Sequence, residues 1–219
     1  MKSQLFNYGV VINANSFIPT AYTQDWFLEN KIYEQKDLAE IQYMNLAAQN
    51  LVVASSEKFN FLVAPQQLQF TINNNNESGF EIIKNTVLKI LGTTPIAYLS
   101  SGINFIWEIL PENEESYIEL SKKFFYNSSS KVHKLFDLPG SAFGVYMSKD
   151  FKDADCRLKC QITPIQKVNL KSETQKLIQA SFNFHFEKGN TNIHSVLPAF
   201  INDWKKCFDE TKKIMNSLM

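Results

Sequence analysis

Three cysteines and two histidines in the last third of the chain are the residue types best suited to metal binding or nucleophilic chemistry. Cys156 and Cys160 stand four apart, where a strand would point both to one side. His185, His194 and Cys207 follow. Together they form a Cys/His set of the kind that holds zinc. Their spacing is not that of a zinc finger or ribbon, and the two cysteines lack the tight knuckle such sites use. Cys160 with His185 is the one pair that adjacent strands could bring together for thiolate catalysis, which needs an oriented imidazole beside the thiol. No nucleophile elbow or oxyanion motif accompanies the pair, and ordinary core or surface thiols are the simpler reading of the three cysteines. Phosphate-loop and dinucleotide fingerprints are absent as well. Glu112, Glu114 and Glu115 resemble paired acids, but they open a helix, where the dipole favours carboxylates. No catalytic residue, metal ligand or cofactor is therefore assigned, and the expectation leans against an enzyme.

A different set of side chains is better placed for binding. Residues 177–187 alternate strictly, with Ala180, Phe182, Phe184 and Phe186 on one face and Ser181, Asn183, His185 and Glu187 on the other. An open sheet face would turn that polar row into the wall of a groove, so Ser181, Asn183, His185 and Glu187 are the candidate ligand-binding residues. Otherwise the row is simply the solvated side of a sheet. Lysine pairs at 122–123, 205–206 and 212–213 read as solvated helix faces. Combined with an aromatic such as Tyr8, Tyr98 or Trp107, they could also hold a single nucleic-acid strand.

The elements that must carry these residues follow from hydrophobic periodicity. Tyr8–Ala14 fits a strand buried on both faces. Thr23 caps a short helix containing Trp26, Phe27 and Leu28. Leu38, Ile41, Met44 and Leu46 suggest a second helix over 35–48. Strands are predicted at Leu51–Ser55, Phe59–Ala64 and Gln67–Ile72, then a polar loop at 73–76. The next helix is capped at Ser78, lined by Phe80, Ile83, Val87, Ile90 and Leu91, and stopped by Gly92. From Pro95 the order repeats. A long apolar strand over 96–110 bends near Ser100–Gly102, and a helix covers 114–126. A loop at 127–140 carries an apolar patch of Val132, Leu135 and Phe136. Strands follow at 142–148, 157–167 and 177–187. Ser195 then caps a terminal helix with Pro198 in its first turn. The predicted fold is α+β: two βαβββα halves, 1–92 and 93–219, forming a largely antiparallel sheet backed by long helices in one compact unit.

Composition narrows the function. The 219 residues are 44% hydrophobic, enough for a substantial core, and 18 Phe make that core aromatic. Net charge is zero, and the basic residues include a single arginine, Arg157. Specific nucleic-acid readout leans on arginine, so nucleic acid is a disfavoured partner. The same bias toward Lys, Asn, Ile and Phe is what AT-rich genomes produce. An odd number of cysteines makes no disulfide framework. No apolar run is long enough to span a membrane and no signal peptide opens the chain, which points to a cytoplasmic protein with no membrane partner.

Two segments carry a resemblance. Val10-Val11-Ile12-Asn13-Ala14-Asn15, running into Phe17-Ile18-Pro19 and Trp26-Phe27, resembles the opening of a family of uncharacterised bacterial proteins. Thr94-Pro95-Ile96-Ala97, followed by Gly102-Ile103-Asn104-Phe105, resembles a strand segment of the same family. These are strand residues rather than a site, so the resemblance implies no activity and transfers no functional residue. The tandem layout is also similar in outline to the TATA-binding-protein-like architecture, which implies a curved sheet backed by helices and nothing about function. The expectation is a non-enzymatic interaction or scaffold protein, acting on a protein partner or on itself as a homodimer. The alternative is a ligand- or nucleic-acid-binding saddle that uses an open sheet face.

Overall fold

The computed structural model describes residues 2–32, 34–73, 79–94, 96–168, 174–189 and 191–218. Nine strands among them pair into one antiparallel sheet. In chain order they are β1 (Lys2–Ala14), β2 (Gln42–Leu46), β3 (Leu51–Ser55), β4 (Phe59–Ala64), β5 (Gln67–Ile72), β6 (Tyr98–Leu110), β7 (Val145–Phe151), β8 (Cys156–Val168) and β9 (Thr174–Glu187). Their order across the sheet is β2-β3-β4-β5-β1-β6-β9-β8-β7. Residues 1–92 thus supply β1–β5 on one side and 93–219 supply β6–β9 on the other. The seam is the long β1–β6 ladder, which runs from Lys2↔Leu110 to Ala14↔Tyr98. The α+β class and the antiparallel sheet agree with the sequence reading.

Inward residues follow the period of two. Tyr8, Val10 and Ile12 of β1 are fully buried, as are Ile103, Phe105 and Ile109 of β6 and Phe61, Val63, Leu68 and Phe184 of their neighbours. Onto this face pack α2 (Gly79–Thr93) and the terminal pair α5 (Leu197–Asn202) and α6 (Trp204–Leu218). Ile83, Val87, Ile90 and Leu91 form the buried stripe of α2; Trp204, Cys207, Phe208 and Met215 form that of α6. The contact layer is aromatic. Phe105 lies within 5.5–6.1 Å, centroid to centroid, of Phe208, Trp204, Phe80 and Phe184. The indole of Trp107 donates to Thr211 Oγ1 at 3.2 Å, so its one polar atom is paired inside the core.

Several local expectations change. The helix predicted over 35–48 is a 3-10 turn at Gln35–Glu40 followed by β2. Backbone pairing with β3, from Gln42↔Ser55 to Leu46↔Leu51, outweighs the helix-like spacing of the apolar residues. Asn50 closes that hairpin in the left-handed region (φ +49°), which Asn tolerates. Met44 and Leu46 end up exposed on an edge strand instead of buried on a helix. The first half therefore carries one strand more than the βαβββα order.

β1 is not buried on both faces: Val11 and Asn13 remain partly exposed between buried neighbours. β6 runs unbroken through Ser100–Gly102, and the register slip falls one residue earlier, skipping Leu99 between Asn13↔Ser100 and Ala14↔Tyr98. α2 continues through Gly92 to Thr93. Ser195 caps nothing, because the Ile193 carbonyl accepts the amides of Val196 and Leu197 at the start of α5. The expected cap at Ser78, the loop at 74–76 and Pro95 lie outside the described residues. Thr23 does cap α1 (Gln24–Glu29), accepting from Trp26 N at 3.1 Å. Asn113 caps α3 (Glu114–Phe125) in the same way at 2.8 Å.

Candidate functional site

The helices α2 and α6 cover one face of the sheet, so the opposite side-chain parity decides what the chain offers to a partner. In an antiparallel ladder, directly opposed residues share a face. Reading outward from β9, Asn183 opposes Asn104 of β6 and Lys159 of β8, and Ser181 opposes Ile106 and Gln161. Asn104 opposes Gly9 of β1, which opposes Thr71 of β5. Lys159 opposes Ser148 and Gln161 opposes Tyr146, both on β7. These side chains are half-buried or exposed, and the row is almost entirely polar.

A cleft of about 430 Å³ lies on this face over β1, β6, β9 and β8. Asn104, Asn183, Ser181, Gln161, Lys159 and Tyr146 supply part of its polar lining, with Gln69 and Thr71 of β5, and Val11 and Ile106 part of its apolar floor. Two glycines keep the backbone low where the central strands meet. A Cβ at Gly9 would sit 2.4 Å from the Phe70 carbonyl oxygen, and one at Gly102 would sit 2.7 Å from Asn183 Nδ2. Asn183 Nδ2 donates to Asn104 Oδ1 at 2.6 Å, and Gln179 Nε2 donates to Ser181 Oγ at 3.0 Å. The first bond ties β9 to β6 and the second runs along β9, so these amides are oriented rather than left to rotate.

Charge on the face is mostly spent. Arg157 donates to Asp150 Oδ1 and Ser148 Oγ, both at 2.7 Å, and His185 Nε2 lies 3.1 Å from Glu187 Oε2. Lys167 pairs with Glu108. Lys159 differs: it is half-buried and has no carboxylate partner among the described residues. It also lines a second depression of about 530 Å³ with Asp150, Arg157, His185 and Glu187. The four candidate residues therefore divide. Ser181 and Asn183 line the first cleft, His185 and Glu187 the second, and Lys159 stands between. Sequence reasoning passed over Lys159, Tyr146 and Asn104. The alternation of Arg157, Lys159 and Gln161 with buried Leu158, Cys160 and Ile162 signalled a polar face, but not its neighbours.

The Cys/His set does not assemble. Cys160 opposes Phe182 and lies with it on the core side, while His185 opposes Arg157 on the open face. The thiol and the imidazole are separated by the sheet itself. Burial pushes the Cys160 thiol up to about 11, the opposite of an activated nucleophile. Cys207 shares a hydrogen bond with Cys156, and this together with burial holds its thiol far above the ordinary range. His194 Nε2 lies 2.9 Å from the Leu91 carbonyl oxygen and its ring stacks on Tyr98, so it braces α2 against the lead into α5. No group of three metal-ligating side chains occurs among the described residues. Tyr8, Tyr98 and Trp107, the aromatics expected beside a lysine groove, are all buried in the core. The helix lysines Lys122, Lys205 and Lys206 pair with Asp137, Asp209 and Asp203, away from the cleft.

No family model matches the chain, and no curated protein matches it. Among solved structures it is similar to one described as KH domains, at 10% identity and a TM-score of 0.25. That alignment covers 81% of this chain and 57% of the other. No helix among the described residues is long and apolar enough to cross a membrane.

Proposed function

We propose that this protein is a non-enzymatic binding module whose working surface is the open face of its sheet, and that it holds a small polar ligand with an anionic group at Lys159. The observation carrying this reading is a half-buried, unpartnered lysine lining a cleft of ligand size, beside the hydrogen-bonded amides of Asn183 and Asn104. An ammonium with no carboxylate beside it is open to an incoming carboxylate or phosphate, which would form a charge-assisted hydrogen bond with it. A long polyanion fits less well, since Arg157 and Lys167 on this face are already paired with Asp150 and Glu108.

Native mass spectrometry of the purified protein is the test, with K159E as comparison. The wild type should carry, or take up from millimolar citrate, phosphate or a nucleoside monophosphate, a small-molecule adduct that K159E loses. A bare wild-type mass with all three anions, or an adduct kept by K159E, refutes the reading.

A second reading, self-association, draws on the edge strand β2, which exposes Met44 and Leu46 beside an unpaired strand edge. Light scattering would show a dimer that M44K with L46K dissociates; a monomeric wild type removes the idea.

A further inference from the structure

The segment between α3 and β7 is built inside out. It contains the short helix α4 (Lys131–Leu135), and four large apolar side chains over 132–138 face solvent: Val132 is 61% exposed, Leu135 77%, Phe136 62% and Leu138 63%. Hydrogen bonds and ring contacts from His133, Ser130, Ser141 and Asp137 hold the segment in place. His133 Nδ1 accepts the Asn127 amide at 2.9 Å, and the ring lies against Tyr126 and Phe143. Asp137 takes Lys122 Nζ at 2.6 Å. Ser130 Oγ accepts the His133 amide at 3.2 Å, and Ser141 Oγ accepts the Leu138 amide at 3.3 Å. This is a braced platform that displays hydrophobic groups, and exposed apolar clusters of that kind mark contact surfaces.

The charge around the platform says what it contacts. Residues 122–141 hold four lysines and one aspartate, in a chain whose formal net charge is zero. Lys123, Lys131 and Lys134 are exposed and have no carboxylate partner among the described residues. Bulky apolar side chains projecting from a rigid turn, ringed by free lysines, match the interfacial zone of an anionic bilayer. Leu and Phe would enter the acyl boundary while the lysines remain among the headgroups. We infer that residues 131–138 dock this protein on an anionic lipid surface through Leu135, Phe136 and Leu138, with Lys131 and Lys134 reading the surface charge. The inference is independent of the cleft. It departs from the sequence expectation of no membrane partner, which considered only spanning segments.

Vesicle co-sedimentation of the full chain tests it, using phosphatidylcholine alone and an equal mixture of phosphatidylcholine and phosphatidylserine. Wild type should partition to the mixed vesicles and not to phosphatidylcholine alone. L135S with F136S should reduce partition at least tenfold, and K131Q and K134Q should each reduce it about fivefold. All four positions are exposed, so circular dichroism should show unchanged folding for these variants. No binding to the mixed vesicles, or equal binding to both kinds, overturns the inference. So does a wild-type oligomer that L135S with F136S converts to monomer, because the patch would then be filled by a second copy. Unaltered vesicle binding by L135S with F136S overturns it too.

Discussion

Replacing Lys167 with methionine should cost this protein about 2–3 kcal/mol of stability, and the structure shows where the loss comes from. Glu108 is the one charged residue among the described residues that is buried, at 4% exposure. Its carboxylate receives Lys167 on one oxygen and Gln4 Nε2, at 3.2 Å, on the other. Removing one member of a buried pair costs about 3–5 kcal/mol, because the remaining charge stays desolvated. Two features reduce that figure here. The Lys167 side chain is 32% exposed, and Gln4 still donates to the carboxylate after the substitution. The ammonium also sits 3.6 Å from the centroid of the Phe6 ring, a contact contributing about 0.5–1 kcal/mol. In urea denaturation, with a slope of about 2–3 kcal/mol per molar, the midpoint should fall by about 1 M. Neutralising the stranded acid should recover most of the loss, so E108Q with K167M should lie within about 1 kcal/mol of wild type. A K167M midpoint unchanged from wild type, or a double variant no better than K167M alone, would refute the reasoning.

Other expectations follow from the core and the thiols. Phe105→Ala empties the centre of the aromatic layer between β6 and α6 and should destabilise by about 3–5 kcal/mol in the same denaturation assay; a loss below about 1 kcal/mol would mean that the layer is not packed as described. All three cysteines are buried, so a thiol-specific chromophore at pH 8 should label almost none of them in the native protein and three after denaturation. Fast native labelling would contradict the placement of Cys160 and Cys207. The folded Cys160 thiol titrates near 11 against a reference value of 9.0, so its native state holds the proton more tightly than the unfolded chain. Its contribution is intact below pH 9 and disappears as pH rises toward 11. Cys160→Ala should therefore flatten the alkaline limb of the stability–pH curve, and an unchanged limb would count against this assignment.

Local rules were enough for much of the architecture. The bounds of β3, β4 and β5 are those predicted, and in β5 the alternation shows why: a half-buried strand writes its pleat into consecutive residues. The polar row from Ser181 to Glu187, the buried stripe of α2 and the Thr23 cap were legible for the same reason: each depends on residues within a few positions of one another. β2 was not, since its identity comes from pairing with β3 across a hairpin whose turn residue, Asn50, is weak punctuation.

The site itself was decided by contacts between distant parts of the chain. Cys160 and His185 lie on neighbouring strands, and a pairing register shifted by one residue would have placed them on the same face. Asn104 meets Asn183 across 79 positions, and Trp107 meets Thr211 across 104. The amino-acid sequence by itself determined an α+β chain with an aromatic core and a polar sheet face. Which strands became neighbours, and therefore that Lys159 has no acid opposite it while Arg157 does, was settled only by tertiary structure. The physical reason is that periodicity encodes the face a residue occupies, whereas long-range register selects its partner.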